Sequence, residues 1–172
     1  FLREIALAII IALSLILTKR EVRQANNFTW APILEVAILF VGIFVTMTPA
    51  MIYLNAHATE LGLTEPWQFY YLTGGLSSFL DNAPTAVAFH TVARGLGGPA
   101  EVAGIAESLL TAISLGAVFF GAMTYIGNGP NFMVKAIAEE NGVKMPSFFG
   151  YMLKFSLIVL LPIYILVQLI FL

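Results

Sequence analysis

The sequence predicts an all-α membrane protein in which transmembrane helices accompany one re-entrant helical hairpin and one discontinuous helix. Three observations predict it. Hydrophobic residues make up 59% of the chain and charged residues 10%, against about 25% charged in an ordinary soluble domain; mean hydropathy is +0.90. Two uncharged arms, residues 66–80 and 82–93, meet at the polar tip Asp81-Asn82-Ala83-Pro84-Thr85. As helix each arm reaches roughly 18–22 Å against about 30 Å of hydrocarbon, so neither spans alone. A further apolar run, 108–134, is broken by Gly127-Asn128-Gly129-Pro130.

The elements follow in order. Arg3 and Glu4 precede an apolar run with no small-residue cleavage site before Lys19-Arg20, which reads as a transmembrane helix over 2–18 rather than a signal peptide. A polar link, 19–27, carries Lys19, Arg20 and Arg23. The second helix covers 31–54, with Pro49 expected to kink or stop it. A loop, 55–65, holds His57, Glu60 and Glu65. The re-entrant hairpin, 66–94, ends in the turn Gly95-Leu96-Gly97-Gly98-Pro99, the broken helix covers 105–140, and the last helix, 148–172, carries only Lys154. The chain starts at Phe1 without an initiator methionine, so a fragment of a longer protein is expected, with 1–172 as one transmembrane domain.

Several functions are excluded by composition. A net charge of −2 with no basic stripe argues against nucleic acid, and the absence of cysteine removes disulfides and thiolate metal sites. Basic residues set orientation. Lys19, Arg20, Arg23, Lys135 and Lys144 fall on one side, read as cytoplasmic, only if the hairpin enters and leaves from the outer face. Glu35 then lies at the cytoplasmic interface, and Arg3 and Arg94 lie outside with Glu60, Glu65, Glu101 and Glu107.

Polar residues inside such a chain point to transport, because intramembrane ionisable groups and unwound backbone are tolerated only where protein or water surrounds them. At the tip, Ser77, Ser78, Asp81, Asn82 and Thr85 offer hard oxygen ligands suited to Na⁺, and the Asp81 carboxylate also suits H⁺. Ser77 and Asp81 are four apart, so on one face if the helix is continuous. Capping by Ser77 or Asp81 is the competing reading and is compatible with ion binding. In the break, Thr124, Gly127, Asn128 and Asn131 stand where half-helix ends and freed carbonyls would coordinate Na⁺ or orient an anion. Backbone 124–130 is expected to be non-helical. The most direct Na⁺ ligands are Ser77, Asp81, Asn82 and Gly127. His90 reads as a hydrogen-bonded interior residue, His57 has no assigned role, and Phe69-Tyr70-Tyr71 reads as packing or an aromatic belt.

Gly74-Gly75-Leu76-Ser77-Ser78-Phe79-Leu80-Asp81-Asn82-Ala83-Pro84-Thr85 and Gly121-Ala122-Met123-Thr124-Tyr125-Ile126-Gly127-Asn128-Gly129-Pro130-Asn131-Phe132 resemble the paired signatures of the ion transporter superfamily. The nearest likeness, from about residue 28 to about 161, is to bacterial citrate transporters and sodium:proton antiporters. The resemblance implies two inverted repeats meeting at a midplane site, this chain being the C-terminal repeat. It also implies an N-terminal repeat of the same transporter as partner, a homodimer in the lipid bilayer of a bacterial inner membrane, and Na⁺ and H⁺ as transported or coupling ions with no other cofactor. Dicarboxylate carriers of the superfamily have a Ser-Asn-Thr tip. Here the matching positions read Asp81-Asn82-Ala83, and a buried negative charge would repel citrate unless neutralised. Na⁺/H⁺ antiport is therefore the leading expectation, with Na⁺- or H⁺-coupled citrate or carboxylate transport as the alternative.

Two other classes fare worse. An intramembrane aspartyl protease needs two carboxylates at one site, and Asp81 has no mid-membrane partner; a serine enzyme would have only His90 as base. A purely structural subunit would leave two costly polar breaks unexplained. The hairpin makes a direct prediction. Single cysteines replacing Ala58 and Gly97 in this cysteine-free chain should both label from the outer side; labelling on opposite faces would rule the hairpin out.

Overall fold

At several helix ends in this chain, side chains take over backbone groups that a helix leaves unpaired. The computed structural model describes residues 1–26 and 29–172; Asn27, Phe28 and seven helical side chains, Glu35 and Phe132 among them, lie outside the described residues. The expectations for Asn27 and Glu35 are therefore not addressed. Among the described residues every regular element is helical. The chain divides into two units, Phe1–Gly42 and Ile43–Leu172.

In the first unit, α1 (Leu2–Leu17) has no buried residue. Its last carbonyls are taken by Arg23, whose guanidinium donates to Ser14 O at 3.0 Å and Leu15 O at 2.6 Å. That bond needs the link to fold back, which it does as a short helix, α2 (Arg20–Ala25). The sequence was read there as a plain polar link. α3 (Ala31–Ala56) begins in this unit and ends in the next. Pro49 lies inside it, so the expected stop is not made. One proline removes one donor, and the hydroxyls of Thr46 and Thr48, bonded to the carbonyls of Ile43 and Phe44, serve the turn before it.

In the second unit, a 3₁₀ turn (Ala58–Leu61) leads to α4 (Pro66–Ser77), which opens on a capping box between Glu65 and Gln68 with Pro66 in the first turn. α4 ends at Ser77. α5 (Asn82–Gly95) starts when Asp81 Oδ1 accepts the Asn82 N–H at 2.7 Å. Next comes a two-residue turn in which Val102 and Ile105 exchange both backbone bonds, with φ of 52° at Ala103 and 83° at Gly104, the primed-turn geometry. His90 Nε2–H donates to Ala103 O at 3.1 Å and ties α5 to this turn. α6 (Glu107–Phe120) follows, then a 3₁₀ turn (Gly121–Met123), an extended stretch, and α7 (Gly129–Glu140). The chain ends in α8 (Phe148–Tyr151), a π-helical segment (Met152–Leu160) and α9 (Leu161–Phe171).

Together the last three elements, Phe148–Phe171, form the one helix among the described residues that is long and apolar enough to cross a membrane. Its outer side chains remain exposed, among them Ile158, Leu169 and Ile170 at 67%, 70% and 71%, as a lipid-facing surface requires.

Packing gathers both ends of the α4–α5 pair. Thr64 and Pro66 at the start of α4, Ala93 and Leu96 at the end of α5, and Ala106 and Ser108 at the start of α6 line one cavity of about 500 Å³. The end of α3 packs on α5, since Asn55 Nδ2 donates to Thr91 O at 3.2 Å. α4 and α6 approach closely: a Cβ on Gly116 would stand 2.5 Å from Tyr70 O, a backbone atom that cannot turn aside. Phe69 and Tyr70 are fully buried, Phe69 edge-on to Phe89 of α5 and Tyr70 edge-on to Phe120 of α6, so they pack the core and do not form a belt. Gly116→Val should therefore lower stability by about 1–3 kcal/mol through overpacking, read as a lower melting temperature in detergent. Gly75→Val, with open space around it, is the control; equal losses would mean the α4–α6 approach is not what glycine secures.

Candidate functional site

Interrupting a helix frees carbonyls that must find partners elsewhere. Between Ala117 and Thr124 seven carbonyls do so. Ser77 Oγ donates to Ala117 O at 2.6 Å and Ser78 Oγ to Phe120 O at 3.2 Å. Tyr164 OH donates to Phe119 O at 2.5 Å, Tyr151 OH to Ala122 O at 3.1 Å and Ser156 Oγ to Met123 O at 2.6 Å. Asn131 Nδ2 serves both Gly121 O at 3.0 Å and Thr124 O at 3.2 Å. The donors come from three directions: the end of α4, the final helix and the first turn of α7.

Thr124 organises the extended stretch. Its hydroxyl donates to Ser78 O and accepts the N–H groups of Ile126 at 3.2 Å and Gly127 at 3.0 Å. Backbone at Thr124 (φ −137°, ψ 168°) and Asn128 (φ −153°, ψ 130°) is extended, and α7 restarts at Gly129 with Pro130 in its first turn. Gly127 is buried where no side chain fits: a Cβ would lie 2.7 Å from Gly121 O, 2.8 Å from Ser78 O and 2.9 Å from Ser77 O. Three carbonyl oxygens thus converge on one point.

Asn82 stands beside them. One end of its amide lies 2.9 Å from Ser77 Oγ, 3.0 Å from Ala117 O and 3.1 Å from Gly127 O. Ser77 donates its only proton to Ala117 O, so all three neighbours accept, and the amide end among them is the NH₂ donor.

The residues singled out from sequence separate into two groups. Ser77, Ser78, Asn82, Thr124, Gly127 and Asn131 meet in this cluster, and Ser77, Ser78 and Thr124 are buried. Asn128 is half-buried at the N-cap of α7 and makes no side-chain cap bond. Asp81 and Thr85 face elsewhere. They line a cavity of about 280 Å³ with Ile43, Met47, Leu76, Leu80, Pro84 and Ala88. The one-face relation of Ser77 and Asp81 does not hold, because α4 ends at Ser77 and Asp81 has extended backbone (φ −63°, ψ 149°) as the N-cap of α5. Thr85, also buried, donates back to Asp81 O at 3.0 Å.

Sequence reasoning missed Tyr151, Ser156 and Tyr164, taking their helix only as a span. The available signal was a hydroxyl recurring in an apolar run at intervals of five and eight. The π-helical segment, bonded at i to i+5, lets Tyr151 and Ser156 reach adjacent carbonyls from one side.

Among known proteins, a family model for "Putative citrate transport", CitMHS_2, matches residues 1–172. No curated protein and no solved structure matches the chain.

Two substitutions test the arrangement. Ser156→Ala should leave Met123 O bare and cost roughly 1–3 kcal/mol, seen in the melting temperature. Gly127→Ala should be worse, because its methyl would meet three backbone oxygens rather than a movable side chain. A Gly127→Ala protein as stable as the wild type would contradict the convergence of these oxygens.

Proposed function

Since the chain belongs to the citrate-transport family matched along its whole length, and is by that membership a transporter of the membrane rather than an enzyme, we propose that it is one repeat of a secondary active transporter that exchanges Na⁺ for H⁺. The observation that carries this reading is the meeting of Ser77, Ser78 and Asn82 with Thr124, Gly127 and Asn131. Hard carbonyl and hydroxyl oxygens at the C-terminal ends of α4 and α6 favour a small cation, by their lone pairs and by the negative ends of the two helix dipoles.

In this reading α4 and α5 form the re-entrant hairpin. The support is that the start of α4 and the end of α5 share one cavity while their other ends form the tip. The break between α6 and α7 is the discontinuous helix. A second repeat completes the site, the assembly is a homodimer in a bacterial inner membrane, and Na⁺ and H⁺ are its only ions. Asp81 is the proton carrier, one residue from Asn82 and open to its own cavity, so it couples to the cation through the hairpin tip rather than by ligating it.

A second reading, carboxylate transport coupled to Na⁺ or H⁺, has a specific observation behind it besides the family description. The N-terminus of α7 carries no side-chain cap at Asn128, and such an end accepts a carboxylate. At α5 the same place is already taken by Asp81, which weighs against citrate. Proteoliposomes of the full transporter separate the two. Asp81→Asn should reduce Na⁺-driven proton movement to the level of empty vesicles while the protein stays folded. Exchange retained in that variant removes Asp81 from the mechanism, and labelled citrate uptake unaffected by it favours the carboxylate carrier.

A further inference from the structure

We propose that the Asn82 amide is a built-in competitor for the cation: its NH₂ group occupies the acceptor cage of Ser77 Oγ, Ala117 O and Gly127 O when no ion is present, and the ion must displace it. The proposal rests on the Na⁺ reading of the cluster. The amide nitrogen carries two partly positive hydrogens and meets three acceptors within 3.1 Å, the same complement a small cation would recruit. Its other neighbour is Gly121, where a Cβ would stand 2.5 Å from the amide; only glycine leaves the room it fills. The arrangement explains how oxygen ligands can stay paired without an ion, since bare buried carbonyls are costly. It also makes binding weaker than the cage alone would allow, because the apparent affinity is reduced by the fraction of molecules with the amide turned away.

The full transporter in lipid nanodiscs, labelled with ¹⁵N-asparagine and assigned by loss of the signal in Asn82→Ala, gives a direct test. In Na⁺-free choline buffer the Asn82 side-chain amide should exchange its protons slowly, and NaCl should move its resonance and speed that exchange. Melting temperature is followed in parallel. If Na⁺ stabilises the wild type while the Asn82 amide is unchanged, the proposal is overturned and the Na⁺ site survives. If Na⁺ gives no stabilisation at all, the Na⁺ reading itself fails and takes the proposal with it. Asn82→Ala adds a second arm. Loss of a competitor weakens the empty protein more than the filled one, so the Na⁺-induced rise in melting temperature should grow. A rise that shrinks would make Asn82 a plain ligand and overturn the competitor role.

Discussion

Everything around the candidate site depends on pairing the backbone carbonyls that are freed where α6 stops. In hydrocarbon an unpaired carbonyl costs several kcal/mol, because no water is present to replace the lost bond. A helix broken there is stable only if other parts of the protein reach it. Ser77 and Ser78 reach it from α4, Tyr151, Ser156 and Tyr164 from the final helix, and Asn131 from α7. The close approach of α4 to α6 at Gly116 and the π-helical stretch around Ser156 both serve that pairing.

The same constraint yields the chemistry. Donors hold the carbonyls of 117–124 in fixed directions; Ser77 O, Ser78 O and Gly121 O close on the point that Gly127 leaves open, and Ser77 Oγ, Ala117 O and Gly127 O surround the Asn82 amide. Such a constellation is rigid, oxygen-rich and shielded, the properties a selective site for a hard cation needs. Asp81 is set apart by its capping of α5, which keeps its carboxyl group out of the carbonyl cluster.

Much of this was legible in the sequence for local reasons. Composition gives the membrane class, and Pro66, Pro84, Gly127 and Pro130 mark helix ends because each acts on its own backbone. Capping by Asp81 was legible as a preference of its residue type. What failed was reasoning that assumed continuity: the four-residue spacing of Ser77 and Asp81 means a shared face only on an unbroken helix, and α4 ends between them. Of the two effects expected of Pro49, a kink or a stop, the stop is not made, since one missing donor did not end a long apolar helix. The hydroxyls of the last helix showed in the sequence only as a recurrence in an apolar run; which carbonyls they cap did not, because their partners lie about 30 to 45 residues away and the π register carries no signal of its own.

The central claim is that these paired oxygens form a cation site, and paired cryo-electron microscopy maps of the intact transporter in NaCl and in choline chloride test it most directly. The account predicts density in the NaCl map among Ser77 Oγ, Ala117 O and Gly127 O, in place of the Asn82 amide, lost in choline with the hydrogen bonds of Thr124 and Asn131 retained. Identical density in both maps, or a Na⁺ seated at Asp81 away from those carbonyls, would contradict it.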